Sequence, residues 1–189
     1  MITLINQYVA RLQSVLNDVD WSPVEVLAEA LIEAVENKRQ VFLCGNGGSA
    51  GNAIHLANDF LYGIEPNGRA LNVEALSANS AVLTCLGNDI GYDNIYAHQL
   101  KVKANAKDIL IVLSGSGNSP NIVNALEQAN TLNMQSFAIL GYSGGKAKAL
   151  AQYPIHFNID DMQISEDTQM IVGHMLMQHL ASVLKKGCE

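Results

Sequence analysis

The chain has 189 residues, of which 49% are apolar and 15% charged, with 15 glycines and 3 cysteines. That length suits one domain with a real core, and the composition excludes a disordered, collagenous or disulfide-stapled chain. Its net charge of −7, from 18 acidic and 11 basic side chains, together with the lack of any Lys/Arg cluster larger than a pair such as Lys185-Lys186, argues against a nucleic-acid binder.

Cys44, Cys85 and Cys188 lack metal-knuckle spacing and read as reduced thiols, which points to a cytoplasmic protein. Met1-Ile2-Thr3-Leu4 has no basic region leading into a long apolar core, so it does not read as a secretory signal. No apolar run approaches the roughly 20 residues that span a bilayer, and no membrane association is expected.

Ile5, Val9, Leu12, Val15 and Leu16 recur at helical spacing, and Asp18 to Asp20 break the pattern. Ser22, Pro23 and Glu25 then read as a capping box opening a second helix, whose apolar face is Leu27, Leu31 and Val35. These two helices form an expected arm, residues 1–38, ahead of an α/β core, residues 39–189, with the whole chain read as a single domain. Val41-Phe42-Leu43-Cys44 is a short, continuously apolar strand that runs into Gly45-Asn46-Gly47-Gly48-Ser49 and a helix from Ala50 to about Tyr62. A strand is expected over Leu71–Leu76, with helices over Ser80–Leu86 and Asn94–Ala104. Ile109–Leu113 repeats the strand–loop–helix unit, with Ser114-Gly115-Ser116-Gly117-Asn118-Ser119 leading into a helix from Pro120 to about Leu132. Strands over Ser136–Leu140 and Ile155–Ile159 flank the Gly144-Gly145 turn and a short helix. A long last helix runs from about Ser165, taken as its cap, to Lys186, with Gly187 as its stop. Alternation in this order predicts a doubly wound parallel sheet flanked by helices.

Both glycine loops follow buried strands and open helices, where free N–H groups and the helix dipole favour an anion. Ser114, Ser116 and Ser119 add hydroxyl donors. Neither loop is followed by the lysine of a nucleotide P-loop, so a single phosphate on a small molecule fits better than a di- or triphosphate.

His55 and Asp59 are four apart on a predicted helix, about 40° from one another, and can chelate a divalent ion or orient an acid/base pair. His98, His156 and His179 read as packing or surface residues and Cys44 as core; Tyr92 and Tyr96, one turn apart, read as packing ahead of the alternative that they line a pocket. Met170, Met175 and Met177, with Ile171, Val172, Leu176 and Leu180, make the last helix apolar nearly all round, as for a helix buried by association of copies.

Cys44–Ser49, Gly87-Asn88-Asp89 and Ser114–Ser119 resemble the loops of the sugar isomerase (SIS) domain, and more closely those of the phosphoheptose isomerase family; the resemblance spans nearly the whole chain. It implies an aldose–ketose isomerase that converts sedoheptulose 7-phosphate into D-glycero-D-manno-heptose 7-phosphate for surface polysaccharide, and a homotetramer with sites between subunits. Ser114, Gly115, Ser116 and Ser119 fall on its phosphate loop, and Asn46, Gly47, Gly48, Ser49, Asn88 and Asp89 on its substrate loops. The family's zinc ligands align with His55, Asp59, Glu166 and His174, with Asp59 and His174 as the catalytic pair and Glu166 also placed to contact substrate. Glu166 and His174 are eight apart, about 12 Å along one ideal helix and too far for one ion, so the resemblance implies Glu166 at the helix cap or a site shared with another subunit. Here Asp59 replaces a glutamate and Glu166 a glutamine; Leu61–Ile64 stands where an arginine is usual, and Ile164-Ser165-Glu166-Asp167 where the family has R-I-Q-E. Glu166 adds negative charge that strengthens ion binding and weakens Lewis acidity. Two other readings remain at this stage: a non-catalytic sugar-phosphate regulator or assembly protein, resembling the DnaA initiator-associating proteins, and an isomerase of another ketose phosphate.

Overall fold

A computed structural model of the protein describes residues 1–65 and 69–186; the expected helix stop Gly187 and the thiol Cys188 lie outside the described residues. Five parallel strands, β1 (Gln40–Gly45), β2 (Asn72–Ala75), β3 (Ile109–Ser114), β4 (Gln135–Leu140) and β5 (Tyr153–His156), form one sheet in the order β2-β1-β3-β4-β5. Eight α-helices accompany them among the described residues: α1 (Ile2–Asp18), α2 (Ser22–Asn37), α3 (Gly48–Asn58), α4 (Ser80–Asp89), α5 (Ile95–Lys103), α6 (Pro120–Thr131), α7 (Gly145–Leu150) and α8 (Met162–Lys186).

Side chains alternate across a pleated strand, so β1 and β3 feed two cores. Val41, Leu43, Ile109, Ile111 and Leu113 face a cluster with Leu27 and Leu31 of α2, Leu56 of α3 and Val172, Leu176 and Leu180 of α8. Phe42, Cys44, Leu110 and Val112 face the other cluster with Leu100 of α5 and Ile122 and Leu126 of α6. Cys44 is completely buried, which pushes its thiol up to about 12 and keeps it from serving as a nucleophile.

The strand order reverses between β1 and β3, and in such sheets ligands bind beyond the carboxyl ends at that switch. The two glycine loops leave β1 and β3, side by side.

Three expectations change, and the arm finds its place. The capping box at Ser22 does not form: Trp21 holds the cap position without a side-chain bond, and the Asp20 carboxylate accepts from the Ser22 N–H at 2.9 Å. Both helices of the arm join the first core, α2 through Leu27, Ala30, Leu31 and Ala34, and α1 through Val15 with Tyr8, Leu12 and Leu16 packed against it. β5 starts two residues earlier than Ile155 and ends at His156, where β4 runs out; Pro154 is tolerated because β5 is an edge strand. α8 begins at Met162, since the Asp161 carboxylate caps it by accepting from the Ile164 N–H at 3.1 Å. Ser165 is therefore inside the helix, and its hydroxyl donates back to the Asp161 carbonyl at 2.7 Å.

Candidate active site

The cleft at the switch point has a volume of about 290 Å³ and is lined by Asn46, Gly47, Gly48, Ser49, Leu113, Ser114, Gly115, Ser116, Ser119, Met162 and Glu166. A larger groove of about 470 Å³ lies between α2 and α8, lined by residues such as Trp21, Val24 and Met175 and away from both glycine loops.

Neither α3 nor α6 has a side-chain cap, so first-turn N–H groups of both helices face the cleft region. The Ser119 hydroxyl is not spent on capping its own helix. The loop after β3 holds its own shape. The Ser114 hydroxyl accepts from the Gly117 N–H at 3.0 Å, and Ser116 Oγ from the Asn118 N–H at 3.3 Å. Asn118 Oδ1 accepts from the Lys146 N–H, pinning the loop to α7. Gly117 has a φ of +64° and sits where a Cβ would lie 2.0 Å from the Gly144 carbonyl oxygen, so no other residue fits.

Glu166 enters this cleft because α3 and α8 pack in parallel. A Cβ on Gly48 would lie 2.3 Å from Glu166 Oε1, so the carboxylate rests against the first turn of α3, where the helix dipole favours it. The next turn is stitched by Asn52 Nδ2, which donates to the Glu166 carbonyl at 3.1 Å and to Gln169 Oε1 at 2.9 Å. Gln169 Nε2 in turn donates to Ser49 Oγ at 3.0 Å. Farther along, Gly173 admits Leu56, whose Cδ2 lies 2.1 Å from where a Cβ would be.

At the far end of this helix pair, His55, Asp59 and His174 converge. Asp59 opens a π-helical turn, Asp59–Gly63, that extends α3. Its Oδ2 lies 3.3 Å from His55 Nε2 and 3.6 Å from His174 Nε2, and the two imidazole nitrogens are 3.4 Å apart. One ligand atom from each residue falls within 4.8 Å of the others. Two imidazoles and a carboxylate at this spacing suit a divalent ion such as Zn²⁺, with positions left for other ligands.

Some expected members are elsewhere. Glu166 is not part of the His/Asp/His group: it sits in regular helix about 12 Å before His174, with its carboxylate in the cleft. The cap position expected for it is taken by Asp161. Asn88 and Asp89 end α4 outside the cleft lining, where Asn88 Nδ2 donates to Asp89 Oδ1 at 2.8 Å and Cys85 Sγ approaches Asp89 at 3.5 Å.

Sequence reasoning missed Asn121, which pairs with Asn46 by reciprocal amide bonds of 2.8 Å and so joins the two glycine loops. It also missed Asn52 and Gln169. Asn52 had a signal, since it shares the α3 face of Gly48, His55 and Asp59; Gln169 had none beyond its place three residues after Glu166.

Residues 6–141 match the SIS domain family model. A phosphoheptose isomerase of Helicobacter pylori (strain P12) is 35% identical over 77% of this chain and 76% of its own length. The chain belongs to the phosphoheptose isomerase family of SIS-domain proteins. Another relative, a phosphoheptose isomerase of Clostridium acetobutylicum, is 32% identical over 87% of this chain and 84% of its own. The solved structure of a phosphoheptose isomerase from Francisella tularensis superposes with a TM-score of 0.88 at 28% identity, covering 96% of this chain and 98% of that one. This family membership makes the protein an isomerase of the SIS fold. Among the described residues no helix is long and apolar enough to cross a membrane.

Proposed function

We propose that the protein isomerises sedoheptulose 7-phosphate to D-glycero-D-manno-heptose 7-phosphate, using the switch-point cleft to hold the phosphate and Asp59 and His174 to move the hydrogen. The observation that carries this reading is the convergence of His55, Asp59 and His174 beside a phosphate-type cradle. A non-catalytic sugar-phosphate binder needs the cradle and gains nothing from that group.

Phosphate belongs with Ser116, Ser119 and the α6 N-terminus, because Glu166 already places negative charge over the first turn of α3. The Glu166 carboxylate accepts hydrogen bonds from the hydroxyls of the sugar and repels a second anion. Gly48 and His55 are about 10 Å apart along α3, so the sugar must be bound extended.

Isomerisation removes a proton from C1, passes through an enediolate, and returns a proton to C2, while a second proton moves from O1 to O2. Asp59 is the base at carbon, and the His174 imidazole carries the oxygen-bound proton. A divalent ion held by His55, Asp59 and His174, taken as Zn²⁺, supplies Lewis acidity for the enediolate oxygens when bound. Other residues here bind and orient. Placement in the cytoplasm, use of the product for surface polysaccharide, and a homotetramer complete the proposal. Support for assembly comes from the apolar side chains left exposed on α1 and α8, including Ile2, Ile5, Val9 and Met175.

The test is turnover of sedoheptulose 7-phosphate by zinc-loaded protein, followed as aldoheptose 7-phosphate formed, with Asp59→Asn beside it. Turnover that Asp59→Asn lowers by about 100-fold or more is expected. No turnover by zinc-loaded protein overturns the proposal.

A further inference from the structure

The geometry points to Tyr92 as a positioning residue for substrate binding: its phenol locks the Asn46 amide so that one N–H is presented to the phosphosugar. This inference rests on the reading of the cleft as the phosphosugar site.

Tyr92 and Tyr96 are one helical turn apart and read from sequence as packing. The structure separates their roles. Tyr96 is buried, and its hydroxyl donates to the Gly45 carbonyl, holding the end of β1; burial and nearby ionisable groups raise its phenol well above the ordinary range. Tyr92 is 58% exposed, yet its hydroxyl donates to Asn46 Oδ1 at 2.9 Å. Two phenols thus grip consecutive residues, the last of β1 and the first of the loop that follows.

The segment that carries Tyr92 is held from a second side. Gly91, with a φ of +85°, turns the chain into a single 3-10 turn, Tyr92–Asn94. Asn124 Nδ2 of α6 donates to the Asp93 carbonyl at 2.9 Å and approaches Asn94 Oδ1 at 3.4 Å. The phenol is therefore aimed at Asn46 by the helix that also supplies Asn121.

A primary amide has two N–H donors and an oxygen with two lone pairs. On Asn46, both lone pairs are used, one by Asn121 Nδ2 at 2.8 Å and one by Tyr92 at 2.9 Å. One donor is used, on Asn121 Oδ1 at 2.8 Å. The second N–H remains on a residue that lines the cleft. Flipping the Asn46 amide alone would set its NH₂ against the Asn121 NH₂ and take away the oxygen to which Tyr92 donates, so the placed set, with Oδ1 held by both donors, turns an N–H to a ligand. With the donor outward, the amide favours oxygen acceptors, phosphate or sugar hydroxyl. Tyr92 adds this polarity without touching the reacting carbons.

Tyr92→Phe keeps the ring and removes the lock. The measurement is steady-state turnover of sedoheptulose 7-phosphate by zinc-loaded parent, Tyr92→Phe, Asn46→Ala and the double variant, with thermal melting of each. For Tyr92→Phe the expected result is a KM raised roughly 3- to 10-fold, the size of one neutral hydrogen bond, with kcat within twofold and an unchanged melting temperature. In the Asn46→Ala background the same substitution should change KM by less than twofold, because the amide it orients is gone. An unchanged KM for Tyr92→Phe in an active parent overturns the inference and leaves the function standing. So does an equal effect with and without Asn46, which would give Tyr92 a role of its own. A parent that shows no turnover overturns the function and this inference with it.

Discussion

Asp59 Oδ2 on the π-helical turn after α3 lies 3.6 Å from His174 Nε2 in the middle of α8. Parallel packing of α3 against α8 sets this contact, and His55, one turn before Asp59, completes the group at 3.3 Å. Replacing either imidazole leaves two ligands for an ion. His174→Ala is expected to lower bound zinc to well under half an equivalent after dialysis and to lower turnover by about 100-fold or more, since it removes both a ligand and the oxygen-proton carrier. Metal analysis of the dialysed variant beside the parent checks the first part, and the turnover assay the second.

Gly173 tests the helix contact from a distance. A Cβ there meets Leu56 Cδ2 at 2.1 Å, and Leu56 is packed in the core. Gly173→Ala gains about 1 kcal/mol of helix propensity and loses more by overpacking, for a net destabilisation of about 1–2 kcal/mol. Chemical denaturation measures that loss. Turnover should fall further than stability alone accounts for, because the substitution pries His174 from His55 and Asp59.

Gly48 behaves differently, because the atom in its way is the tip of a flexible glutamate. Gly48→Ala should fold with a melting temperature within a few degrees of the parent while displacing Glu166 from the cleft. The expected kinetic effect is a raised KM. Thermal melting and KM for sedoheptulose 7-phosphate, measured together, separate displacement from unfolding.

Ser116 tests the phosphate end. Removing a hydroxyl donor to a dianion costs more than a neutral hydrogen bond, so Ser116→Ala should raise KM about 10-fold or more. Competition by inorganic phosphate should weaken in parallel. If phosphate competes equally well against parent and variant, Ser116 does not hold the phosphoryl group.

Tyr8 ties α1 to α8 through a 2.5 Å hydrogen bond to Asp167, beside the Arg11–Asp161 ion pair at 3.1 Å. The bond to Asp167 pushes the phenol up to about 12, with burial and the charges of Asp167 and Asp161 adding to it. The folded chain holds this proton more tightly than the unfolded chain does. The contact therefore contributes fully below about pH 10 and is lost as pH rises through about 12. Ultraviolet titration of phenolate should show two late-titrating tyrosines, Tyr8 and Tyr96, of which Tyr8→Phe removes one.

Much of the fold is legible in the sequence because the sheet is parallel and covered on both sides. Val41–Cys44 and Ile109–Leu113 are uninterrupted apolar runs, and each leads into a glycine loop. Ends were harder to read. Asp161 and Ser165 are both good capping types, and only the bond from the Ile164 N–H to Asp161 decides between them. Within the site, the His55–Asp59 pair follows from one helical turn. The arrival of His174 depends on how α8 lies on α3, which periodicity does not carry; family resemblance supplied it. The same resemblance placed Glu166 with the ion, whereas regular helix from Met162 leaves it at the cleft. Asn121 escaped because an asparagine after a proline has no pattern of its own, and Tyr92, one turn from Tyr96, read as packing because helical spacing does not show where its hydroxyl points.

Proton bookkeeping at carbon tests the central claim most directly. Zinc-loaded protein is incubated with sedoheptulose 7-phosphate in D₂O, and the sugar phosphates are read by NMR and mass spectrometry. The account predicts an aldoheptose 7-phosphate carrying solvent deuterium at C2, a signal that Asp59→Asn suppresses. Zinc-loaded protein that binds the ketose yet yields neither aldose nor deuterium at carbon would contradict it.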